Sequence, residues 1–160
     1  MSVAFTKEDS AETASETMLP DRPIPQGPNL VTAGGLAALE RQLAEARAAY
    51  EAAMAIDDIN EKRRQAANPF RDLRYFTERL RTAQVVPAPE SNAVVAFGST
   101  VTFERDDGRI QTYHIVGEDE ADPKAGTLSF ASPMARALLG KGVGDGASVG
   151  GSEVEIVTIG

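Results

Sequence analysis

Leu36, Leu39, Leu43, Ala46, Tyr50 and Ala53 recur at alternating three- and four-residue spacing. That spacing is a heptad seam, and alanines and other good helix formers fill the positions between. Thr32 stands where the helix needs an N-cap. A second periodic run holds Phe70, Leu73, Phe76 or Thr77, Leu80 and Ala83. A lone helix cannot bury its own stripe, so two stripes joined by a turn predict an antiparallel helical hairpin. Residues 62–81 hold seven basic groups against only Asp72 and Glu78. The two arms therefore differ in sign, which favours their pairing.

Two readings of the turn stand. Asn68-Pro69 has the form of an N-cap with proline at the first helical position, which would put the turn, or a short extra helix, within residues 57–67. Alternatively the second helix begins near Asp58 and kinks at Pro69, because proline removes one backbone bond and clashes with the preceding turn. The strongly helix-forming run EKRRQAA favours the second reading.

Outside this hairpin (residues 30–86) the chain changes character. Residues 1–29 are polar and carry Pro20, Pro23, Pro25 and Pro28, so they read as an extended or disordered arm. The few apolar candidates for docking there are Ala4-Phe5 and residues 19–24. Residues 87–93, with Pro87 and Pro89, form a linker. Beyond it, residues 94–97, 100–104, 109–116, 127–131 and 153–159 read as β runs, and Asp106-Asp107-Gly108 supplies a hairpin turn. Ser132-Pro133 opens a short helix over about 133–139. Residues 94–160 thus predict a twisted, mainly antiparallel sheet with one helix, giving an α+β chain overall.

Bulk composition removes several function classes. Net charge is −8, which argues against stable sequence-specific binding of duplex DNA by bulk electrostatics. The 16 basic groups are concentrated in the hairpin, while residues 87–160 are net −6. No cysteine is present, which rules out disulfides and thiolate metal sites, and His114 is the only histidine. No apolar run approaches membrane-spanning length, and no secretory signal opens the chain, so a cytoplasmic protein with no membrane role is expected.

Residues 94–159 resemble the C-terminal domain of the bacterial Gre family of transcript-cleavage factors, which has an FKBP-like fold. The stretches that carry the likeness are VVAFGSTVTF (94–103), QTYHIVGEDEADPKAGTLS (111–129), SPMARALLGK (132–141) and EVEIVTI (153–159). The TxxGxxxLExxL pattern of residues 32–43 resembles the start of the family's coiled coil, and RLRTAQV (79–85) resembles its end. Residues 1–29 have no counterpart in the ordinary pattern. The resemblance implies a transcription elongation factor that binds RNA polymerase and is not itself an enzyme. Its sheet domain docks at the rim of the secondary channel, while its coiled coil reaches inward to help the polymerase cleave backtracked RNA. It implies no stably bound cofactor, since magnesium belongs to the polymerase active site.

Candidate residues follow from the same likeness. Asp58 and Glu61 resemble the family's tip acids, whose oxygens would assist at a second catalytic metal. The same pair also has the form of a capping box, with Asp58 as N-cap and Glu61 reaching back to its amide. The family's next residues are replaced by Lys62, Arg63, Arg64 and Gln65. Both arms are shorter than the usual pattern by about one heptad, or roughly 10 Å of reach. That shortening resembles the short-armed Rnk-type regulators, which leaves a cleavage stimulator and a channel-binding regulator both open. Lys62, Arg63, Arg64, Arg71 and Arg74 are candidates for nascent RNA phosphates or acidic channel walls. The competing reading pairs them across the hairpin with Glu45 and Glu51. Asp119, Glu120, Asp122, Pro123, Ser132, Pro133, Met134 and Ala135 resemble the polymerase-docking edge. Two rivals come from other classes: a prolyl isomerase using Phe97, Phe103, Tyr113 and Phe130, and a helical adaptor.

Overall fold

A computed structural model describes residues 19–160. Ala4-Phe5 lies outside the described residues. By backbone contacts the chain separates into two units, one holding residues up to 27 together with 39–81, the other holding 28–38 and 82–160.

Helix α1 (Ala33–Met54), whose first six residues belong to the second unit, and helix α2 (Ile59–Thr82) are joined by the short turn of residues 55–58. Leu39, Ala46 and Ala53 of the first seam are buried, and Leu43 and Tyr50 are half-buried between them. The second helix starts at Ile59 and runs through Pro69 without a break, so the start at Asn68-Pro69 is not the one adopted. Proline is accommodated because good helix formers on both sides keep the remaining ladder intact.

The second stripe differs from expectation. Phe76, rather than Thr77, is buried, but Phe70 keeps 42% of its surface and meets Tyr50 edge-tilted, centroid to centroid at 5.6 Å. Ala83 has left the helix for a strand. Tyr75 and Arg79 are buried although they lie off the seam. Part of the reason is a second cover on α2. Residues 19–24 dock along it, with the Arg22 guanidinium 3.8 Å from the centre of the Tyr75 ring.

The second unit contains two sheets. Strand β1 (Asn29–Val31) pairs in parallel with β2 (Ala83–Val85). These strands are only three residues long and carry no alternating pattern, so the sequence reading placed them in the arm and the hairpin. Gly117 packs against them so closely that a Cβ there would lie 2.5 Å from the Leu30 carbonyl oxygen. The larger sheet has the order β5-β4-β3-β7-β6, with β3 (Thr100–Arg105), β4 (Ile110–Val116), β5 (Thr127–Ser129), β6 (Gly146–Val149) and β7 (Ser152–Ile159). All its pairings are antiparallel except β4 with β5. Gly108, at φ +87°, makes the β3–β4 hairpin turn.

Helix α3 (Pro133–Leu138) starts as expected from Ser132, whose hydroxyl accepts a bond from the Ala135 amide at 3.2 Å. Its Ala135 and Leu138 join Val101, Phe103, Ile115, Val154 and Ile156 in one buried core. Residues 94–97 are not a strand. Val95 instead exchanges backbone bonds with Gly140 and Lys141 after α3, which carries its side chain into the core.

Candidate functional site

The tip of the hairpin is built by local polar competition. Asp58 precedes α2 and accepts from the Asn60 amide at 3.2 Å, while its carbonyl accepts from the Lys62 amide at 2.8 Å. That is N-cap geometry. The reciprocal half of a capping box is absent, because Glu61 turns along the helix instead. Its Oε1 accepts from Gln65 at 2.8 Å and its Oε2 from Arg64 at 2.5 Å. Partners three and four residues on lie on the same helix face, so both reach it without strain. The Gln65 bond, followed by the Arg64 bond and charge, holds the Glu61 carboxyl below its ordinary pKa. The same contact raises Arg64.

A sign follows from that shift. A depressed carboxyl favours the native tip above the ordinary glutamate range, and the contact is lost as pH falls through the lowered value. The Glu61 side-chain carboxyl resonance is therefore expected to titrate below a free glutamate, and to return toward it in Arg64→Ala. A normal midpoint in the unaltered chain would show that the contact does not persist in water.

The basic set is divided in role. Arg64 belongs to Glu61. Lys62 and Arg63 border an open cavity of about 470 Å³ walled by Tyr50, Met54, Ile59 and Phe70. Arg74 donates to Asp21 at 2.6 Å and lies 5.5 Å from the Phe70 ring centre. Arg71 is half-buried, and its Nε is enclosed without a hydrogen-bond partner. Among the described residues neither Glu45 nor Glu51 forms an ion pair, so the pairing across the hairpin is not made. The acids that do engage basic side chains on this unit include Asp21, Asp72 and Glu61. Asp21 and Arg22 are the site residues that sequence reading missed. Their only signal was a charged pair beside the apolar Leu19 and Ile24.

On the sheet unit the eight docking candidates also separate. Ala135 has no exposed surface, and Met134 packs against the core. Ser132 caps α3. Glu120 accepts from the Thr32 hydroxyl at 2.7 and 2.9 Å, over the first turn of α1. Asp119 is half-buried. Asp122 accepts from the Lys124 amide at 3.2 Å and opens the short 3₁₀ turn Pro123–Ala125. The members that remain exposed are Asp122, Pro123 and Pro133. Phe97 packs edge-on to Phe130 and Phe103 stacks on Tyr113, so the four aromatics pair with one another.

No helix among the described residues is long and apolar enough to cross a membrane. Nor do the described residues contain a cluster of three or more acidic or histidine side chains suited to a metal ion.

The family described as "Transcription elongation factor, GreA/GreB, C-term" matches residues 90–160. Transcription elongation factor GreA of Methylobacterium nodulans is 38% identical over 149 residues, covering 81% of this chain and 94% of that protein. GreA of Polaromonas naphthalenivorans is 48% identical over 88 residues, covering 51% of this chain and 56% of that protein. The crystal structure of GreA factor homolog 1 from Thermus thermophilus aligns with a TM-score of 0.40 and 27% identity, covering 84% of this chain and 99% of that one.

Proposed function

The chain belongs to the GreA/GreB family of transcription elongation factors, and we propose that it regulates RNA polymerase chiefly by occupying the secondary channel. It acts on the polymerase in the cytoplasm and is not itself an enzyme. Within that family role, the finer choice lies between a cleavage stimulator and a channel-binding regulator. The tip favours the regulator.

The observation that carries this choice is the state of Glu61. Magnesium is a hard cation that needs oxygen ligands with available lone pairs. Both Glu61 oxygens accept bonds, from Gln65 and Arg64, and although each keeps a further lone pair, a cation would have to compete with the Arg64 charge. Arg64 also cancels its charge, and Lys62 and Arg63 follow directly in sequence. Asp58 is engaged as a helix cap. A magnesium ion would have to displace Arg64 from Glu61 and share Asp58 with the helix cap, so these two acids are poorer ligands than free carboxylates.

What the hairpin supplies instead is a shaped insert whose second arm is basic. Its helices of 22 and 24 residues span roughly 33 and 36 Å. Lys62, Arg63, Arg71 and Arg74 are offered to RNA phosphates; Arg64 is held by Glu61 and Arg74 by Asp21. The sheet unit is the anchor. Exposed Asp122, Pro123 and Pro133, each beside a capped turn, are the residues proposed to meet the polymerase rim.

The test uses stalled, backtracked polymerase complexes with radiolabelled RNA. Adding this protein is expected to leave cleavage at the polymerase's own rate. It is also expected to reduce the stimulation given by a cleavage-active GreA, by competing for the channel. The Asp58→Ala/Glu61→Ala variant should compete equally well. Strong cleavage by the unaltered protein that disappears in the double variant would reverse the choice in favour of a stimulator.

A further inference from the structure

The face of α2 that carries Arg71 and Arg74 is covered by the chain's own N-terminal strap, residues 19–24. Asp21 accepts from Arg74 at 2.6 Å. Arg22 donates to Asp72 at 3.1 Å and stacks on Tyr75, with Phe76 also within reach at 5.2 Å. Leu19 borders the Tyr50–Phe70 cavity, and Ile24 borders a smaller one of about 210 Å³ over Arg71 and Tyr75.

The covered surface has a definite chemistry. Guanidinium groups and aromatic rings share it: Arg74 lies 5.5 Å from the Phe70 ring centre, and Arg71 lines the same small cavity as Tyr75. Arg71 has an enclosed Nε with no partner, and Lys62 and Arg63 form no ion pair among the described residues. Single-stranded RNA binds such surfaces, with phosphates on the cations and bases on the rings. An aspartate on a guanidinium occupies the place a phosphate oxygen would take.

We propose that the strap is an intramolecular competitor of single-stranded RNA: it docks on α2 through Asp21 and Arg22, and leaves when RNA takes Arg71 and Arg74. This rests on reading Arg71 and Arg74 as RNA contacts. The strength of docking suits displacement. The Asp21–Arg74 pair keeps more than half of each side chain in solvent, and the Arg22–Asp72 pair more than a third. Exposed pairs are weak, so the strap is a cover in equilibrium rather than a fixed layer. The apparent RNA affinity is then reduced by the fraction of molecules with the strap away.

Competition and simple electrostatics make opposite predictions for Arg22. Removing a cation should weaken RNA binding if charge alone acts. If the strap competes, Arg22→Ala loosens it and tightens binding. The experiment is a fluorescence-anisotropy titration of the full chain with a single-stranded oligouridylate. Arg22→Ala is expected to bind about five-fold more tightly, and the exposed-site variant Asp21→Ala about three-fold. Glu40→Ala, which removes an acid elsewhere on the hairpin, should change little. Arg71→Ala, which removes a cation that makes no bond to Asp21 or Arg22, should weaken binding and lower the salt slope by roughly 0.7, one phosphate's share. The chain has no cysteine, so Ile24→Cys can carry a single spin label. That label should gain mobility as RNA saturates.

Equal or weaker binding by Arg22→Ala, with Arg71→Ala still impaired, would overturn the competition and leave the RNA face standing. If neither the unaltered chain nor Arg22→Ala binds RNA, the RNA reading and the competition fall together. Release of the label by poly-glutamate but not by RNA would assign the covered face to an acidic protein surface, and would equally overturn the proposal.

Discussion

Phe103→Ala is expected to unfold much of the sheet unit at ambient temperature, and with it the polymerase anchor. Phe103 is completely buried, stacks on Tyr113 at 5.9 Å, and sits opposite Gln111 on β4 and Ile156 on β7. Truncating a buried phenylalanine costs about 3–5 kcal/mol, because the lost transfer energy is joined by the energy of the cavity. Small domains have only about 5–15 kcal/mol in total, and a unit this small lies toward the low end. The loss is therefore a large share of what holds the sheet together. Phe103→Leu, which keeps most of the volume, should cost far less. Val157→Ala, on a strand position with 40% exposure, should be nearly silent. Urea titration followed by tyrosine fluorescence measures the difference, since Tyr113 reports on this packing. A midpoint for Phe103→Ala close to that of Val157→Ala would show that the assigned core is wrong.

The fold was legible in the sequence wherever its cause is local. The seam from Leu36 to Ala53 could be read because helical periodicity depends only on near neighbours. Thr32 and Ser132 could be read as caps for the same reason. Asp106-Asp107-Gly108 carried its turn in its own chemistry. What escaped was set by distant partners. Asp21 meets Arg74 and Arg22 meets Asp72, 53 and 50 residues away. Nothing near them in sequence announces that meeting. The parallel β1–β2 pair joins segments as far apart, and β6 was missed because Gly146, Ala147 and Ser148 are poor strand formers. Val95 was read as strand because burial and β-branching look alike in sequence. At the tip the legibility was partial. Asp58 as a cap followed from its position, but Glu61 had three candidate partners within four residues. Side chains at Arg64 and Gln65 won over the Asp58 amide, and the site's proposed role turns on that outcome.

Thr32→Val is expected to cost the unit holding residues 28–38 and 82–160 about 2–4 kcal/mol, far more than an ordinary surface change. The hydroxyl does two jobs. Its oxygen accepts from the Gly35 amide at 2.9 Å, which caps the first turn of α1. Its proton goes to the Glu120 carboxylate. Losing a cap costs about 1 kcal/mol, and losing a hydrogen bond to a charged group about 1.5–3 kcal/mol. The two share one atom, so they will not simply add. Valine keeps the shape of threonine, so the cost isolates the hydroxyl. Gly35 supports the arrangement, because a Cβ there would lie 2.6 Å from a Glu120 oxygen. Thr32→Ser should retain both bonds and most of the stability. Glu120→Gln keeps a neutral acceptor but removes the negative charge from the helix start, worth about 0.3–1 kcal/mol. Hydrogen exchange at the Gly35 amide separates the components: it should accelerate strongly in Thr32→Val and little in Glu120→Gln. If Thr32→Val stays within about 0.5 kcal/mol of the unaltered chain, Glu120 is not held by Thr32 in solution. Its carboxylate then returns to the exposed docking edge, beside Asp122 and Pro123.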